Sequence, residues 1–167
     1  YDEMELPLAR VLYDMEREGF RVDRDILRQL QAQFNEQSES LAKRIYESTG
    51  ETFNILSPKQ LGEVLFEKLG LPTGRKNKSG FSTDAETLES LAERHPAIPL
   101  ILEYRFITKL KSTFVDGLLN AVNDENDRVR TQFNQCVTAT GRISSTEPNM
   151  QNIPVRTPQG REIRKAF

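Results

Sequence analysis

A polar segment from residue 138 to residue 156 holds the densest set of side chains that could bind a ligand. It reads TATGRISSTEPNMQNIPVR and is interrupted by Gly141, Pro148 and Pro154, so it cannot fill a hydrophobic core. A solvated surface loop would have a similar composition. The guanidinium, amide and hydroxyl donors of the segment favour a binding function instead. The candidate residues are Thr140, Arg142, Ser144, Ser145, Asn149, Gln151 and Asn152.

A second candidate surface lies on a helix predicted from about Pro99 to Val122. At about 100° per residue, one face is apolar and the opposite face carries only cations and hydroxyls. The apolar residues are Ile107, Leu110, Phe114 and Leu118, and the polar residues are Arg105, Lys109, Ser112 and Thr113. A solvated face normally mixes charges, whereas this one offers the donors that a phosphate backbone accepts. Lys111 lies near the edge of the apolar stripe and is a further candidate.

Positive charge is concentrated in two other places. The loop from residue 73 to residue 80 has no acid and three bases, Arg75, Lys76 and Lys78. Residues 128 to 167 hold seven bases and two acids, a balance of +5, so the other 127 residues carry −7 to reach the net charge of −2. This asymmetry indicates a polyanionic partner.

Composition excludes several classes of protein. With 167 residues, 37% of them hydrophobic, the chain fits a soluble, helix-rich domain with a modest core. No apolar run approaches the ~20 residues that span a bilayer, so we expect no membrane partner. The single cysteine, Cys136, excludes an internal disulfide and fits the reducing cytoplasm. One histidine and one cysteine argue against a zinc site.

The elements that must position these residues are mainly helices. An apolar stripe predicts a first helix that ends at Gly19, and Asp23 caps a second that ends near Gly50. We expect these two helices to form an antiparallel pair with packed stripes. Ser57 before a proline predicts a third helix, and Thr83 with Glu86 predicts a capping box for a fourth. The fourth helix should fade near residues 95–96.

After the long fifth helix the pattern changes. Residues 123–127 form a turn-rich acidic loop, which marks a domain boundary. Residues 128–135 alternate as a strand does. The apolar and basic run at 163–166 also predicts a strand that enters a sheet.

Three blocks of sequence resemble DNA polymerase family A, of the bacterial polymerase I type. They are TATGR at 138–142 with PNMQNIP at 148–154, EYR at 103–105 with KLKSTF at 109–114, and GR at 160–161 with IRKAF at 163–167. The block at 103–114 resembles the family's thumb helix, and the block at 138–154 resembles its palm-entry motif. The block at 160–167 resembles the strand before its first catalytic motif. The earlier helices match in pattern more than in letters.

The resemblance implies that these residues hold primer–template DNA. Arg142 would monitor the terminal base pair through minor-groove acceptors, which differ little between A·T and T·A. Asn149, Gln151 and Asn152 would hold template and primer, and Arg156 would lie near the incoming nucleotide. The polar face of the long helix would hold the duplex backbone, and the basic loop at 73–80 matches the thumb tip.

The fold class implied is mainly α. Residues 1–122 would form a helical thumb subdomain together with its preceding stalk helices. Residues 123–167 would add a short antiparallel β segment from the N-terminal edge of the palm, which is α+β in the parent protein. We expect a fragment, because the chain begins at Tyr1 and stops after Phe167.

The family's chemistry uses two Mg²⁺ ions held by carboxylates. Glu147 and Glu162 are the acids that follow Asp127, and neither matches a catalytic motif. We therefore expect no catalytic residue, no metal site and no cofactor here, and no synthesis by this chain alone. The intact enzyme would be a monomeric, cytoplasmic, nucleoid-associated DNA-directed DNA polymerase that uses Mg²⁺ and deoxynucleoside triphosphates in replication and repair.

Two other functions stay open at this point. The chain could be a stand-alone, non-catalytic nucleic-acid-binding module. It could also be a helical protein-interaction domain that pairs residues 4–49 with a partner's helices. The second alternative lacks the sustained heptads of a coiled coil and leaves the TATGR block without a role.

Overall fold

Helices form most of the molecule, which confirms a mainly α fold. The computed structural model describes residues 2–72, 76–77, 80–122 and 125–167, with the backbone alone at 76, 77 and 80. The helices are α1 (Glu5–Glu18), α2 (Arg24–Thr49), α3 (Pro58–Gly62), α4 (Ala85–Ser90), α5 (Ala97–Leu110), α6 (Gly117–Ala121) and α7 (Pro158–Arg164). Two π-helical turns cover Glu63–Lys68 and Lys111–Asp116. Among the described helices, none is long and apolar enough to cross a membrane.

Short antiparallel strand pairs complete the described secondary structure. The strands are β1 (Phe20–Arg21), β2 (Lys76–Asn77), β3 (Gly80–Phe81), β4 (Arg128–Val129), β5 (Gln132–Asn134) and β6 (Ser144–Thr146). The pairs are β1 with β4, β2 with β3, and β5 with β6. The strand predicted at 128–135 is therefore two short strands, β4 and β5, which pair with different partners.

The chain forms two compact units. One comprises Tyr1–Ala32 and Leu110–Phe167, and the other comprises Gln33–Lys109. The first unit gathers both ends of the chain because β1 pairs with β4 and because the Asp23 N–H donates to the Ala166 carbonyl at 2.7 Å. The predicted division after residue 122 separates a thumb subdomain from a part of the palm, whereas these two units are defined by compactness. That division therefore stays a prediction.

The unit of residues 33–109 is built around apolar side chains at helical spacing. The predicted core positions Ile45, Leu61 and Leu65 are fully buried. They join one cluster with Leu88, Ile98 and Ile101. The predicted cap of α3 is confirmed, since the Ser57 Oγ accepts the Gln60 N–H at 3.4 Å and a proline follows it.

The start of α2 also follows its sequence signal. The Asp23 Oδ1 accepts the N–H groups of Asp25 and Ile26, each at 3.0 Å. The first predicted core positions of that helix, Leu27 and Leu30, are buried in the unit that contains both chain ends. Because the cap satisfies backbone donors that have no intrahelical partner, it fixes where the apolar stripe begins.

Helix α1 ends where predicted but does not bury its stripe. Its C-cap Gly19 has φ of 71° and donates its N–H to the Met15 carbonyl at 2.8 Å. Leu12 is buried, whereas Met4, Val11 and Met15 are 75%, 54% and 39% exposed. The expectation that packing would cover this stripe was therefore wrong. Periodicity identified the apolar face but carries no information on what covers it.

The fourth helix begins and ends differently from the prediction. Asp84, not Thr83, is its N-cap, and the Asp84 Oδ1 accepts the Thr87 N–H at 2.8 Å. The helix ends at Ser90, before the expected limit at residues 95–96. The capping box was wrong because two neighbouring residues can both cap, and the Thr83 hydroxyl accepts a hydrogen bond from Arg105 instead.

The strand predicted at 163–166 is a helix. Helix α7 begins after Thr157, whose Oγ1 accepts the Gly160 N–H at 3.1 Å, and Pro158 occupies its first turn. This is the same cap-then-proline pattern that begins α3, and it decides the local structure against the apolar run. Gly160 packs closely against the backbone of Pro154 and leaves no space there for a Cβ.

Candidate nucleic-acid interface

The turn before β6 presents Arg142. The Gly141 N–H donates to the Thr138 carbonyl at 3.2 Å, and the Thr138 hydroxyl donates to the Arg142 carbonyl at 2.6 Å. Gly141 has φ of 71°, which glycine adopts without steric cost. These bonds fix the backbone on both sides of Arg142, while its side chain and that of Thr140 are exposed.

The next residues fold back on themselves. The Ser145 Oγ accepts the Met150 N–H at 3.0 Å, and the Gln151 side-chain amide donates to the Ile143 carbonyl at 2.6 Å. The Asn149 Oδ1 accepts the Gln151 N–H at 3.0 Å. These contacts bring residues 143–145 and 149–151 together. The segment is therefore held by its own polar groups, which a simple solvated loop is not.

Ser145 supports the segment from within, and the DNA contact predicted for it stays a prediction. Its side chain is 0% exposed, and its hydroxyl is used by the backbone of Met150. Composition could not separate it from Ser144, its half-buried neighbour on β6. Strand pairing decides this difference, because adjacent residues of a strand point to opposite faces.

Thr131 is a support that the sequence analysis missed. It is 2% exposed, and its hydroxyl lies 2.9 Å from the Thr146 carbonyl and 2.8 Å from the Pro148 carbonyl. This one donor therefore holds both sides of the bend that follows β6. No local signal marks it, because its acceptors lie 15 and 17 residues further along the chain.

Several predicted DNA-binding side chains are left exposed on this supported segment. Their exposed donors include guanidinium and amide groups, and among the described residues no protein partner occupies the guanidinium of Arg142 or Arg156. The exposed set is Thr140, Arg142, Asn149, Gln151, Asn152 and Arg156.

The predicted apolar face of the long helix is confirmed. Ile107, Leu110, Phe114 and Leu118 are 0%, 2%, 6% and 2% exposed. In the unit of residues 33–109, Lys109 is exposed. In the other unit, Ser112 and Thr113 are exposed within the π-turn. The turn departs from the 100° per residue on which the face was predicted.

Arg105 is only half-exposed and is bound to the protein. Its guanidinium donates to the Thr83 carbonyl and, at 3.3 Å, to the Thr83 hydroxyl. Burial lowers the pKa of Arg105. This arrangement links α5 to the residue before the N-cap of α4, so Arg105 has a structural role in addition to the DNA contact predicted for it.

Lys111 is also bound within the protein. Its Nζ lies 2.8 Å from the Asp116 Oδ2, and the Gln31 Nε2 donates to the Asp116 Oδ1 at 2.7 Å. Burial alone would raise the pKa of Asp116, but the hydrogen bonds from Lys111 and Gln31 and the charge of Lys111 together lower it. Sequence reasoning missed Gln31 and Asp116 because they lie 85 residues apart.

Part of the positive charge at 128–167 is structural. The Arg128 NH1 donates to the carbonyls of Glu18 and Gly19, and its NH2 pairs with the Glu18 carboxylate at 3.0 Å. The Arg130 Nε donates to the Arg17 carbonyl at 3.0 Å. These arginines satisfy carbonyls at the C-terminal end of α1, which have no partner inside the helix. The charge asymmetry is therefore a weaker sign of a polyanionic partner than the sum alone suggested.

The DNA contacts predicted at 73–80 stay predictions. Arg75, Lys78 and the side chain of Lys76 lie outside the described residues.

The described ranges contain no candidate metal site. Within them, no group of three or more His, Cys, Asp or Glu residues could hold a metal ion.

Comparison with known proteins identifies the family. The family model described as DNA polymerase family A matches residues 24–167. DNA polymerase I of Bacillus subtilis is 48% identical over 167 residues, which are 100% of this chain and 19% of that protein. DNA polymerase I of Caldicellulosiruptor bescii is 52% identical over 167 residues, 100% of this chain and 20% of that protein. The chain thus spans about a fifth of the length of these relatives.

A solved structure supports the same assignment. The POL domain of Pol1 from M. smegmatis, in complex with DNA primer-template and dNTP, superimposes with a TM-score of 0.91 at 50% identity. The match covers 99% of this chain and 29% of that one. The blocks at 103–114 and 138–154 lie inside the matched family region. This chain therefore belongs to DNA polymerase family A.

Proposed function

We propose that this chain is the part of a DNA-directed DNA polymerase that grips primer–template duplex. The observation that carries the proposal is the supported segment at 138–156, where exposed donors project from a backbone fixed by internal hydrogen bonds. A fixed backbone lowers the entropy lost when such side chains bind. The solved relative with primer-template DNA supports the choice of partner.

Arg142 is proposed to read the minor groove near the primer terminus. A polymerase must accept every base pair, and the minor-groove acceptors of A·T and T·A are alike. A guanidinium is long enough to reach them and carries several donors in a fixed plane. Asn149, Gln151 and Asn152 add contacts to template and primer, although the Gln151 amide already donates to a carbonyl of its own segment.

The helix contributes backbone contacts in this proposal. Lys109 supplies a cation, and Ser112 and Thr113 supply hydroxyl donors for phosphate oxygens. Arg105 keeps its hydrogen bonds to Thr83 and acts mainly through the position of α5. Loss of a cationic side chain that contacts phosphate should lower affinity uniformly across DNA sequences and reduce the salt dependence of binding.

Catalysis is proposed to need residues that this chain does not supply. The chemistry would use two Mg²⁺ ions and deoxynucleoside triphosphates in a monomeric cytoplasmic enzyme, and the described residues bring no set of metal ligands together. We expect no primer extension by this chain alone with nucleotides and magnesium. Template-directed synthesis in that assay would contradict this part of the proposal.

The DNA-binding proposal is tested by fluorescence anisotropy of a labelled primer–template duplex over a salt series. We expect Lys109→Ala to weaken binding and to reduce the slope of log affinity against log salt by about one. Lys59→Ala removes an exposed lysine of the same unit and is its matched control.

The loss of affinity caused by Arg142→Ala should depend on the structure of the DNA end. We expect it to lose affinity for a recessed primer terminus by about 1–3 kcal/mol and to bind blunt duplex nearly as the wild type does. Arg10→Ala, which removes an exposed arginine on α1, is the control. Equal losses for Arg142→Ala and Arg10→Ala would exclude a specific contact by Arg142.

A further inference from the structure

A compact polar cluster lies at the π-turn in the unit that contains both chain ends. Lys111 and Asp116 form an ion pair at 2.8 Å, and the Gln31 amide binds the other carboxylate oxygen at 2.7 Å. The side chains of Lys111 and Asp116 are 23% and 28% exposed. Both oxygens of the carboxylate are thus used, and the lysine charge is compensated inside the protein.

The spacing of this ion pair fits the π-turn and does not fit a regular helix. Residues five apart on an α-helix project about 140° from each other, so a direct ion pair between them is strained. In a π-helical turn the hydrogen bonds join residues i and i+5, which brings the two positions close to the same side. Lys111 and Asp116 are the first and last residues of the turn. The pair and the turn therefore support each other.

The turn decides which side chains face solvent. Ser112 and Thr113 are exposed, whereas the next two residues, Phe114 and Val115, are 6% and 0% exposed. A return to α-helical bonding would rotate the four residues between the paired positions relative to the helix on either side. The hydroxyls of Ser112 and Thr113 would then point elsewhere.

We infer that Asp116 and Gln31 are positioning residues for DNA binding, and that Lys111 acts through the same cluster instead of contacting phosphate. The cluster holds the π-turn in the form that presents the Ser112 and Thr113 hydroxyls. This inference rests on the proposed function, since it explains how that surface is set. It replaces the phosphate contact predicted for Lys111 from its charge.

The test compares salt slopes in duplex binding for Lys111→Met, Asp116→Asn and the exchanged pair Lys111→Asp with Asp116→Lys. We expect both single variants to weaken binding by about three- to tenfold with an unchanged slope, since no phosphate contact is lost. The exchanged pair should recover most of the affinity, because the Gln31 amide can turn its oxygen toward a lysine. Lys43→Met and Glu47→Gln, an exposed pair 4.0 Å apart on α2, are the matched controls.

Two results would overturn the inference. If Lys111→Met reduced the slope by about one while Asp116→Asn bound as the wild type does, Lys111 would be a phosphate contact. If neither single variant changed affinity, the cluster would serve stability alone. Circular dichroism before each titration establishes that the variants are folded.

Amide hydrogen exchange separates this inference from the proposed function. We expect Asp116→Asn to speed exchange at residues 112–117 by about tenfold and to leave residues 25–49 unchanged, because local opening of the turn costs less free energy without the pair. If the wild type bound no duplex, the proposed function would fail, and this measurement would decide whether the cluster holds the turn. Unchanged exchange at 112–117 would overturn the inference in either case.

Discussion

The helical run at 110–121 and the segment at 138–156 both expose hydrogen-bond donors but are supported by different forces. Phe114, Val115 and Leu118 hold the helical run through buried apolar surface. The segment buries little, and it is held by hydrogen bonds from Thr131, Thr138 and Gln151 to backbone carbonyls. Apolar support is non-directional and tolerates small shifts, whereas hydrogen bonds fix direction and are costly to break once buried. Under the proposed function, this difference would suit the helical run to contacts with the DNA backbone and the segment to contacts with base edges.

The largest expected effect on stability comes from removing the apolar support of the helical run. Phe114→Ala should destabilise the protein by about 3–5 kcal/mol, because it deletes a buried ring and leaves a cavity. Urea unfolding followed by circular dichroism measures this change. Thr113→Ala, an exposed neighbour, should change the unfolding free energy by less than about 0.5 kcal/mol. Similar losses in the two variants would show that the ring does not support the helix.

A smaller effect should follow from removing the polar support. Thr131→Val keeps the shape of the side chain but leaves the Thr146 and Pro148 carbonyls without their hydroxyl donor, at a cost of about 1–2 kcal/mol. We expect faster amide exchange at 144–151 and weaker binding to a recessed primer terminus. Thr52→Val, at an exposed position outside the proposed DNA-binding residues, is the control for the loss of a hydroxyl. A variant as stable as the wild type would mean that water replaces the hydroxyl.

The pH dependence of stability tests the Asp116 cluster. Because the folded-state pKa of Asp116 is lowered, its contribution is present above the unfolded pKa of about 3.9 and is lost as the pH falls through the folded value. The unfolding free energy of the wild type should exceed that of Asp116→Asn by about 0.5–1 kcal/mol at pH 7. The difference should shrink below about pH 4. A difference independent of pH would exclude a charged Asp116 as its cause.

The smallest expected effect separates binding from stability on the helical run. Thr113→Val should leave the unfolding free energy within about 0.5 kcal/mol of the wild type, since this side chain is exposed. Duplex affinity should fall by about two- to fivefold, the loss of one neutral hydrogen bond. Anisotropy at fixed salt measures it. No loss of affinity would remove Thr113 from the proposed surface.

Sequence reasoning predicted what short-range patterns determine. Helical periodicity identified Ile107, Leu110, Phe114 and Leu118 as buried. Capping residue types identified Ser57 and Asp23 as helix caps. The family resemblance came from the blocks at 103–114 and 138–154 and is confirmed. Exposure of most donors at 138–156 also agrees with their polar character.

The errors arose where distant residues decide. Gln31 with Asp116, and Arg128 with the end of α1, are contacts that no local pattern encodes. The burial of Ser145 could not be predicted, because β pairing selected which of two adjacent serines is buried. The α7 helix is a different error, because its signal at Thr157 and Pro158 was local and the expected strand took precedence over it.

Gly160 and Gly141 would tolerate replacement in different ways if every amino acid were tried at each position. At Gly160 the Cβ of any side chain would collide with the Pro154 backbone, so the loss of stability should be nearly independent of which residue is introduced. At Gly141 the space for a Cβ is open, and only the φ of 71° is restrictive. Asn and Asp adopt that conformation more readily than other residues, so they should be the mildest changes there. The substitution profile of each glycine would thus report whether volume or backbone conformation limits it.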